Sequence, residues 1–473
     1  MNRISLRPVG WLLLASVLTA LLFCQRGVSP EHNPDSSGYL EFTWFPITQA
    51  LLQHRTFGYP LFLEGCRLVA SDVRVVPLAQ LAAMILASWV LYWGLRQAGY
   101  RPSTAGWCAV VLMLGQGAFK LGTTVTSDSL AISLAVASAA CFLATTAPRS
   151  GTLAWIGLVL LTFLTYQTRP AYLFLIPLWP LLGRLLDRNL LRPEAARADR
   201  WRRVVLYAAA TGLPFVAFCT IRWAVVGHWG LVSFGGYNTV GVAGQFLDEE
   251  LVDELPNDVR LLATEILRRR AADKNWTAPS NFIAMEQMYN PMVWGVAVPA
   301  ARQLYANNPV LVNQNLGRLS TSIIQRRPIL YMRWLRWNVI HAFKQVVLLS
   351  ITDLGTMFTG ALYLLTHGIV FFRWRRTAFE PGSTESDGTI KSPRKTSTDW
   401  TMETDAGVQH LESHLLFWTA ISFAAFKVLL VILVEPANGR YMTGAMPLIP
   451  AALMVPAAHY FNRMCRRALP RPH

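Results

Sequence analysis

The chain has 473 residues, of which 53% are hydrophobic and only 15% are charged, and its mean hydropathy is +0.32. A soluble domain usually carries about 25% charged residues, so this composition excludes an ordinary soluble protein and predicts a polytopic membrane protein. The formal net charge is +16. Because many of the basic residues fall in short segments between apolar runs, we attribute the excess to membrane orientation and expect no nucleic-acid partner.

Apolar runs long enough to cross a bilayer recur along the chain. A membrane helix needs roughly 17–25 mostly apolar residues. The first run is not followed by a small-residue cleavage site, so we interpret it as an uncleaved transmembrane helix rather than a signal peptide. The sequence predicts an all-α protein with about ten membrane spans, near 9–26, 75–96, 104–121, 129–147, 151–166, 170–187, 203–227, 346–372, 414–434 and 441–462.

Basic residues are distributed unevenly between the segments that join these runs. Alternate segments are rich in arginine, notably 184–203 and 373–376, whereas the short segments on the other side hold little more than Lys120, Arg169 and Arg440. Short cytoplasmic loops carry the excess of Arg and Lys in membrane proteins. The pattern therefore predicts a multi-pass protein of the cytoplasmic (inner) membrane with both termini on the cytoplasmic side.

This topology divides the chain into three parts. Residues 1–227 form an N-terminal membrane module, and its first outer loop, 27–74, contains two amphipathic patterns typical of interfacial helices. Residues 228–345 form an extracytoplasmic, mainly helical loop domain between spans seven and eight. Residues 346–473 form a C-terminal membrane module, in which the polar segment 375–413 predicts a disordered cytoplasmic linker.

Charged residues at the predicted outer membrane edge are the candidate functional residues. Asp35 and Arg55 lie in the first outer loop, Asp128 opens the fourth span, Arg169 precedes the sixth and Arg440 precedes the last. Carboxylates beside guanidinium groups suit a reaction that needs a base and releases an anion. Ordinary structural explanations also exist: helix capping or a solvated loop for the aspartates, and snorkelling to lipid phosphates for the arginines.

The segment 35–63 resembles the first outer loop of the GT-C superfamily of multi-span glycosyltransferases, which use a polyprenyl-phosphate sugar as donor. The resemblance is carried by Asp35 with Tyr39, and by the run Arg55-Thr56-Phe57-Gly58-Tyr59-Pro60-Leu61. Within this superfamily, the chain resembles the bacterial branch that contains the aminoarabinose lipid A transferases, and relatives of the protein O-mannosyltransferases. Two departures are present: Ser36 follows Asp35 where many relatives have a second acid, and Gly58 stands where the aminoarabinose transferases carry a lysine.

The resemblance also implies roles for individual residues. Asp35 matches the essential acid of the family's first loop, which makes it the expected catalytic base. Asp128 matches a second acid, for which two roles stay open: positioning the acceptor or helping to hold a divalent cation. No other cofactor or metal is expected. The expected substrate-binding residues are Tyr39, Arg55, Tyr59, Asp128, Arg169, Arg440 and Tyr441.

The resemblance implies an inverting transfer of a sugar from polyprenyl phosphate to a hydroxyl group on the outer face of the membrane. The expected partners are this donor, a lipid, glycan or protein acceptor, and the surrounding membrane lipids. One alternative is an O-antigen ligase or polymerase, which the long segment 228–345 keeps open. Another is a non-catalytic lipid or solute transporter, which the position of the charges at one membrane edge disfavours.

Overall fold

The computed structural model of the protein describes residues 6–115, 119–147, 150–191, 196–274, 276–379 and 398–468. Helices make up 79% of the structure and no strand is present in these ranges, so the predicted all-α class is confirmed. An isolated parallel β-bridge joins Glu31 and Thr124. Helices extend into both ends of the predicted linker 375–413, and its centre, 380–397, lies outside the described residues.

The α-helices follow one another in three stretches of the chain. The first comprises Leu6–Arg26, Ser36–Leu40, Ile47–Leu52, Gly58–Val69, Val75–Gln97, Pro102–Met113, Ser127–Thr145, Thr152–Thr168, Leu175–Leu186 and Arg197–Val226. The second comprises Gly235–Ala243, Glu249–Glu254, Asn257–Ala272, Phe282–Asn290, Val298–Leu304 and Pro309–Arg326. The third comprises Pro328–Thr352, Leu354–Phe379, Thr398–Ile432, Gly439–Thr443 and Ile449–Ala468.

Among the described residues, 5 helices are long and apolar enough to cross a membrane, or 6 if a bent pair counts as one span. These helices support the predicted multi-pass membrane protein. Four shorter apolar helices, of 10–17 residues, fall near other predicted spans. Length and composition of the helices therefore support five or six spans, and the other predicted spans stay a prediction. The 5 long helices are Pro8–Arg26, Val75–Gln97, Ser127–Thr145, Arg197–Val226 and His414–Ile432.

The bent pair differs from the predicted eighth span, 346–372. Its first helix begins at Pro328, inside the predicted outer domain, and the pair bends by 63° at Asp353. Arg333 and Arg336 lower the local hydropathy and conceal the early start of this helix. At the bend, the carboxylate of Asp353 accepts the Thr356 N–H at 3.0 Å. Asp353 therefore caps the N-terminus of the second helix of the pair.

The predicted first outer loop, 27–74, is helical, as its amphipathic patterns near 39–53 and 60–70 indicate. Its helices are Ser36–Leu40, Ile47–Leu52 and Gly58–Val69. Large apolar side chains on them face outward, with Leu68 and Val69 the most exposed in the last helix. Exposed apolar side chains on short amphipathic helices suit the interface of a membrane.

The helix Ser127–Thr145 lies at the centre of the membrane bundle, and its most apolar window is 94% buried. Small side chains allow its neighbours to approach closely. At Gly94 in the helix Val75–Gln97, an added Cβ would lie 2.3 Å from the Ala140 carbonyl oxygen. The first turn of this buried helix contains Asp128, so the core of the bundle determines where that carboxylate lies.

Gly58 makes a second close approach, which generates a prediction. An added Cβ would lie 2.6 Å from backbone atoms of Gln167 and Thr168, directly before Arg169. We expect Gly58→Ala to destabilise the protein by about 1–3 kcal/mol, the usual scale for overpacking. Gly65 in the same helix has no heavy atom within 4 Å of an added Cβ, so Gly65→Ala is the matched control. Thermal unfolding in detergent should separate the two variants, and equal melting temperatures would contradict the packing argument.

Candidate active site

Five charged side chains from distant parts of the chain form one chain of ion pairs, which we call the charged network. Arg55 Nη2 lies 2.7 Å from Asp35 Oδ1, and Arg440 Nη1 lies 2.8 Å from Asp35 Oδ2. Arg440 Nε also donates to Asp128 Oδ2 at 2.8 Å. Arg169 Nη1 lies 2.6 Å from Asp128 Oδ1. Three guanidinium groups thus surround two carboxylates, and the network has a net positive charge.

Backbone pairing holds the segment that contains Asp35 against the segment that leads to Asp128. The Glu31 N–H donates to the Thr123 carbonyl at 2.9 Å, and the Val125 N–H donates to the Glu31 carbonyl at 2.9 Å. These two bonds form the isolated parallel bridge. The distance between the two aspartates is therefore set by the backbone as well as by Arg440.

The turn before Arg440 is held by Asn338, a fully buried residue in the helix Pro328–Thr352. Its Nδ2 donates to the carbonyls of Ile432 at 3.1 Å and Glu435 at 2.8 Å. Its Oδ1 accepts the Ala437 N–H at 2.8 Å. The sequence analysis missed Asn338, although a lone amide among apolar helix residues is a signal of a buried polar contact.

Lys427 supports the network on the side of Arg169. It is 1% exposed, its Nζ donates to the Ala171 carbonyl at 3.0 Å, and it lies 4.4 Å from the Tyr172 ring centroid. The contact fixes the backbone just after Arg169. The sequence analysis missed this residue too, although an ionisable side chain inside a predicted span indicates a functional or supporting role.

Two of the predicted tyrosines lie against arginines of the network. The Arg55 guanidinium carbon is 4.8 Å from the ring centroid of Tyr39, and that of Arg169 is 5.4 Å from the ring centroid of Tyr441. Cation–π contact of this kind orients a guanidinium group while leaving its N–H edges available to anions. The Tyr39 hydroxyl lies 2.9 Å from Ser127 Oγ, one residue before Asp128.

Tyr59 lies one layer behind the network. Its ring meets Tyr39 edge-on at a centroid distance of 4.9 Å, and its hydroxyl donates to Gln80 Oε1 at 3.4 Å. Tyr59 is fully buried, so in this structure it supports Tyr39 rather than lining an open surface. The structure therefore brings all the predicted site residues together, with Tyr59 in a supporting position.

The ordinary structural explanations for the charged residues do not match their contacts. Asp35 precedes the helix Ser36–Leu40 but makes no side-chain capping bond there. Asp128 lies in the first turn of Ser127–Thr145, and its two carboxylate oxygens face Arg169 and Arg440. The Arg169 side chain is 12% exposed and is paired with Asp128, so it does not snorkel to lipid. The carboxylates and guanidinium groups are directed at one another instead.

The protonation states of the groups around Asp35 follow from burial and from neighbouring charges. Burial raises the pKa of Asp35, but Arg55 and Arg440 outweigh burial and hold it below its ordinary value of 3.8. Burial, assisted by Arg55 and Arg302, lowers the pKa of His54 to about 4. At neutral pH the carboxyl group is therefore ionised and the neighbouring imidazole is neutral.

Glu435, five residues before Arg440, is a further acid near the network that the sequence analysis did not include in the site. Its Oε1 accepts a hydrogen bond from Asn238 Nδ2 at 2.6 Å. Burial raises the pKa of Glu435, while Arg169 and Lys427 oppose the shift. Glu435 thus joins the region around residue 238 to the charged network.

The carboxylates of the network do not fit a divalent cation. Both oxygens of Asp35 and both oxygens of Asp128 already face guanidinium groups. Hard divalent cations need several oxygen ligands that are free to coordinate, and a cation here would also meet three arginines. Among the residues that the structure describes, no group of at least 3 His, Cys, Asp or Glu side chains could hold a metal ion. We therefore assign no catalytic step to a metal.

A small, mostly apolar crevice of about 20 Å³ lies among helices of the membrane bundle. Thr443, which shares the helix Gly439–Thr443 with Arg440, is one of its lining residues. Its other lining residues include Met84, Leu112, Ile132, Leu349 and Met446.

The structure and sequence were compared with known proteins. No protein-family model matches the chain, and no curated protein or solved structure is significantly similar to it.

The bridging geometry of Arg440 generates a prediction about stability. Lysine keeps the charge but lacks the planar fork that reaches two carboxylates at once, so we expect Arg440→Lys to lower the melting temperature in detergent. A lost hydrogen bond to a charged group costs about 1.5–3 kcal/mol. The control is Arg318→Lys, because Arg318 is an exposed residue 4.0 Å from Asp258 and such pairs contribute little. If both variants melt like the wild type, the bridge is not important for stability.

Proposed function

We propose that the protein is a membrane glycosyltransferase that moves a sugar from a polyprenyl-phosphate donor to an acceptor hydroxyl on the outer face of the membrane. The observation that carries the proposal is the charged network, where three arginines and two aspartates meet. A cationic site at the edge of an apolar helix bundle fits an anionic amphiphile. A lipid-linked sugar phosphate is such an amphiphile.

The arginines supply the recognition of the phosphate. Guanidinium groups bind phosphate oxygens through two parallel N–H bonds, which gives both strength and orientation. The net positive charge of the network favours an anion over a neutral ligand. Arg440 and Arg55 are the partners of Asp35, so a phosphate that binds these arginines also weakens their hold on that carboxylate.

The transfer step is an in-line displacement at the anomeric carbon. The acceptor oxygen forms the new bond to that carbon, and its proton moves to Asp35 as general base. The bond between the anomeric carbon and the phosphate oxygen breaks, and its electron pair leaves with polyprenyl phosphate. Arginines stabilise the charge that grows on this leaving group. Attack opposite the leaving group inverts the configuration of the sugar.

The finer topology belongs to the same proposal. We assign all ten predicted apolar segments as membrane spans, including the four short helices and the bent pair. The charged network then faces the periplasm from the cytoplasmic membrane, and the arginine-rich ends of the helices face the cytoplasm. The acceptor is a lipid, a glycan or a protein.

One observation favours the alternative of a lipid transporter. Transporters use broken helices at their substrate sites, and the pair Pro328–Thr352 and Leu354–Leu365 is broken by 63°. Asp353 lines the apolar crevice at this break. Transport and sugar transfer differ in chemistry, because transport leaves the bond between sugar and phosphate intact.

The topology is testable by cysteine labelling. Ser37 and Ala198 are both exposed, and the proposal places them on opposite sides of the membrane. In a cysteine-free background, a membrane-impermeant maleimide applied from the periplasmic side should label Ser37→Cys and not Ala198→Cys. Permeabilised cells, in which both should react, are the control. Labelling of both sites in intact spheroplasts contradicts the topology.

Asp35→Asn tests the proposed base. The amide keeps the shape of the side chain but accepts no proton, so we expect kcat to fall by about a hundredfold or more, with donor binding retained. The assay is transfer from polyprenyl-phosphate-linked pentoses and hexoses by purified protein in liposomes. Asp72→Asn is the matched control, since Asp72 lies in the same loop and is largely exposed. Full activity of Asp35→Asn, or cleavage of no donor by the wild type, contradicts the proposal.

The pH dependence of the wild type gives a second test. A base whose pKa is lowered loses activity only when the pH falls through that lowered value, so kcat/KM should stay level down to below pH 3.8. Bound phosphate competes for Arg55 and Arg440 and raises the pKa of Asp35. The acid limb of kcat, which reports the complex, should therefore lie at a higher pH than that of kcat/KM. Coincident limbs would contradict this exchange of partners.

A further inference from the structure

A second cationic site lies at the opposite end of the membrane helices. It is a cavity of about 290 Å³ between the helix Leu175–Leu186 and the start of the helix Arg197–Val226. Arg184 follows Arg169 by 15 residues of mostly helical chain, or roughly 20 Å at 1.5 Å per residue. The cavity, which we call the arginine pocket, is lined by Arg184, Arg188, Arg197, Arg200, Trp201 and Val204.

The far end of the helix Arg197–Val226 also shows that the arginine pocket is separated from the charged network. Near its C-terminus, Arg222 Nε donates to the Leu51 carbonyl of the first outer loop at 3.0 Å. A helix of 30 residues is about 45 Å long. The arginine pocket at its beginning is therefore remote from the charged network, and it plays no part in the proposed transfer.

The lining of the arginine pocket has four guanidinium groups, and no carboxylate is among the described residues that line it. Asp187, next to Arg188 in sequence, is buried, and its Oδ1 lies 3.5 Å from Arg203 Nη1. Asp199, which lies between Arg197 and Arg200 in sequence, is exposed and is not part of the lining. Like charges around one concave surface repel one another unless an anion lies between them. The composition of the lining therefore indicates an anionic ligand.

A tryptophan at the rim orients one of these arginines. The Arg184 guanidinium carbon lies 4.5 Å from the ring centroid of Trp201, and Trp201 is 43% exposed. Tryptophan is enriched at the level of lipid head groups in membrane proteins. The pair therefore suits the depth in the membrane at which phosphates lie.

Exposed apolar side chains continue from the arginine pocket toward the middle of the membrane. In the first helix, Leu185 and Leu181 precede Arg188 at helical spacing. In the second helix, Val205 follows Trp201 by one turn. All three apolar side chains are about half exposed or more, at 54%, 48% and 61%. A ligand with its phosphate on the arginines would have its apolar part on this surface, which distinguishes a phospholipid from a soluble phosphate.

We propose that the arginine pocket binds the phosphate head group of one anionic phospholipid, with the acyl chains against Leu181, Leu185 and Val205. Basic pockets between membrane helices on the cytoplasmic side bind such head groups. The cavity of about 290 Å³ is about ten times the roughly 30 Å³ that a water molecule occupies, so it has room for a phosphate group. Arginines that served only to orient the protein would attract anionic lipids without a fixed stoichiometry, whereas a pocket retains one.

The test is native mass spectrometry of the full-length protein in detergent, titrated separately with cardiolipin, phosphatidylglycerol and phosphatidylcholine. We expect the wild type to retain one anionic lipid in preference to phosphatidylcholine, and Arg184→Gln/Arg197→Gln to bind it at least tenfold more weakly. The charge-matched control is Arg202→Gln/Arg333→Gln, two exposed arginines that are not part of the lining. The control should bind like the wild type.

Two results would overturn the proposal. One is equal lipid binding by the two double variants, which would reduce the effect to net charge. The other is displacement of the lipid by inorganic pyrophosphate at equal concentration, which would make the ligand a soluble phosphate. Arg188→Gln alone provides a milder variant if the double variant melts early, and it should weaken retention of the anionic lipid without changing that of phosphatidylcholine.

Discussion

The bridge that Arg440 makes between Asp35 and Asp128 is the interaction on which the rest of the site depends. Arg440 is separated from Asp35 by 405 positions in the chain and from Asp128 by 312. The bridge can therefore form only when both ends of the protein have folded together. Removing one partner of a buried ion pair strongly destabilises the folded protein, because the other charge is left buried and unpaired. The two aspartates and three arginines therefore act as one unit, and each supporting contact matters through its effect on this unit.

Three contacts around the network act on its backbone. Asn338 fixes the turn before Arg440, Lys427 fixes the backbone after Arg169, and the absence of a side chain at Gly58 lets the first outer loop reach the same backbone. Each holds a main-chain segment rather than a side chain of the network. Positioning the backbone in this way leaves the guanidinium groups able to exchange one anionic partner for another.

The residues of the network were predictable because charge is rare in this chain, where only 15% of residues are charged. Asp35, Asp128 and Arg440 therefore stood out at the ends of apolar runs. Their pairing was not predictable, since hydropathy and spacing carry no information about contacts across hundreds of residues. The bend at Asp353 and the early start at Pro328 were missed because basic residues interrupt the apolar pattern of a continuous helix.

The same arginines have opposing consequences for the proposed chemistry. Without an anion they hold Asp35 ionised but make it a weak base, because its pKa lies below the ordinary value of 3.8. A phosphate that takes their hydrogen bonds removes that stabilisation, and the carboxylate becomes a stronger base only when the donor is present. Basicity would then be coupled to donor binding, with no moving lid required. The coupling also disfavours activation of water in the empty site, since the base is strongest when the phosphate already occupies the arginines.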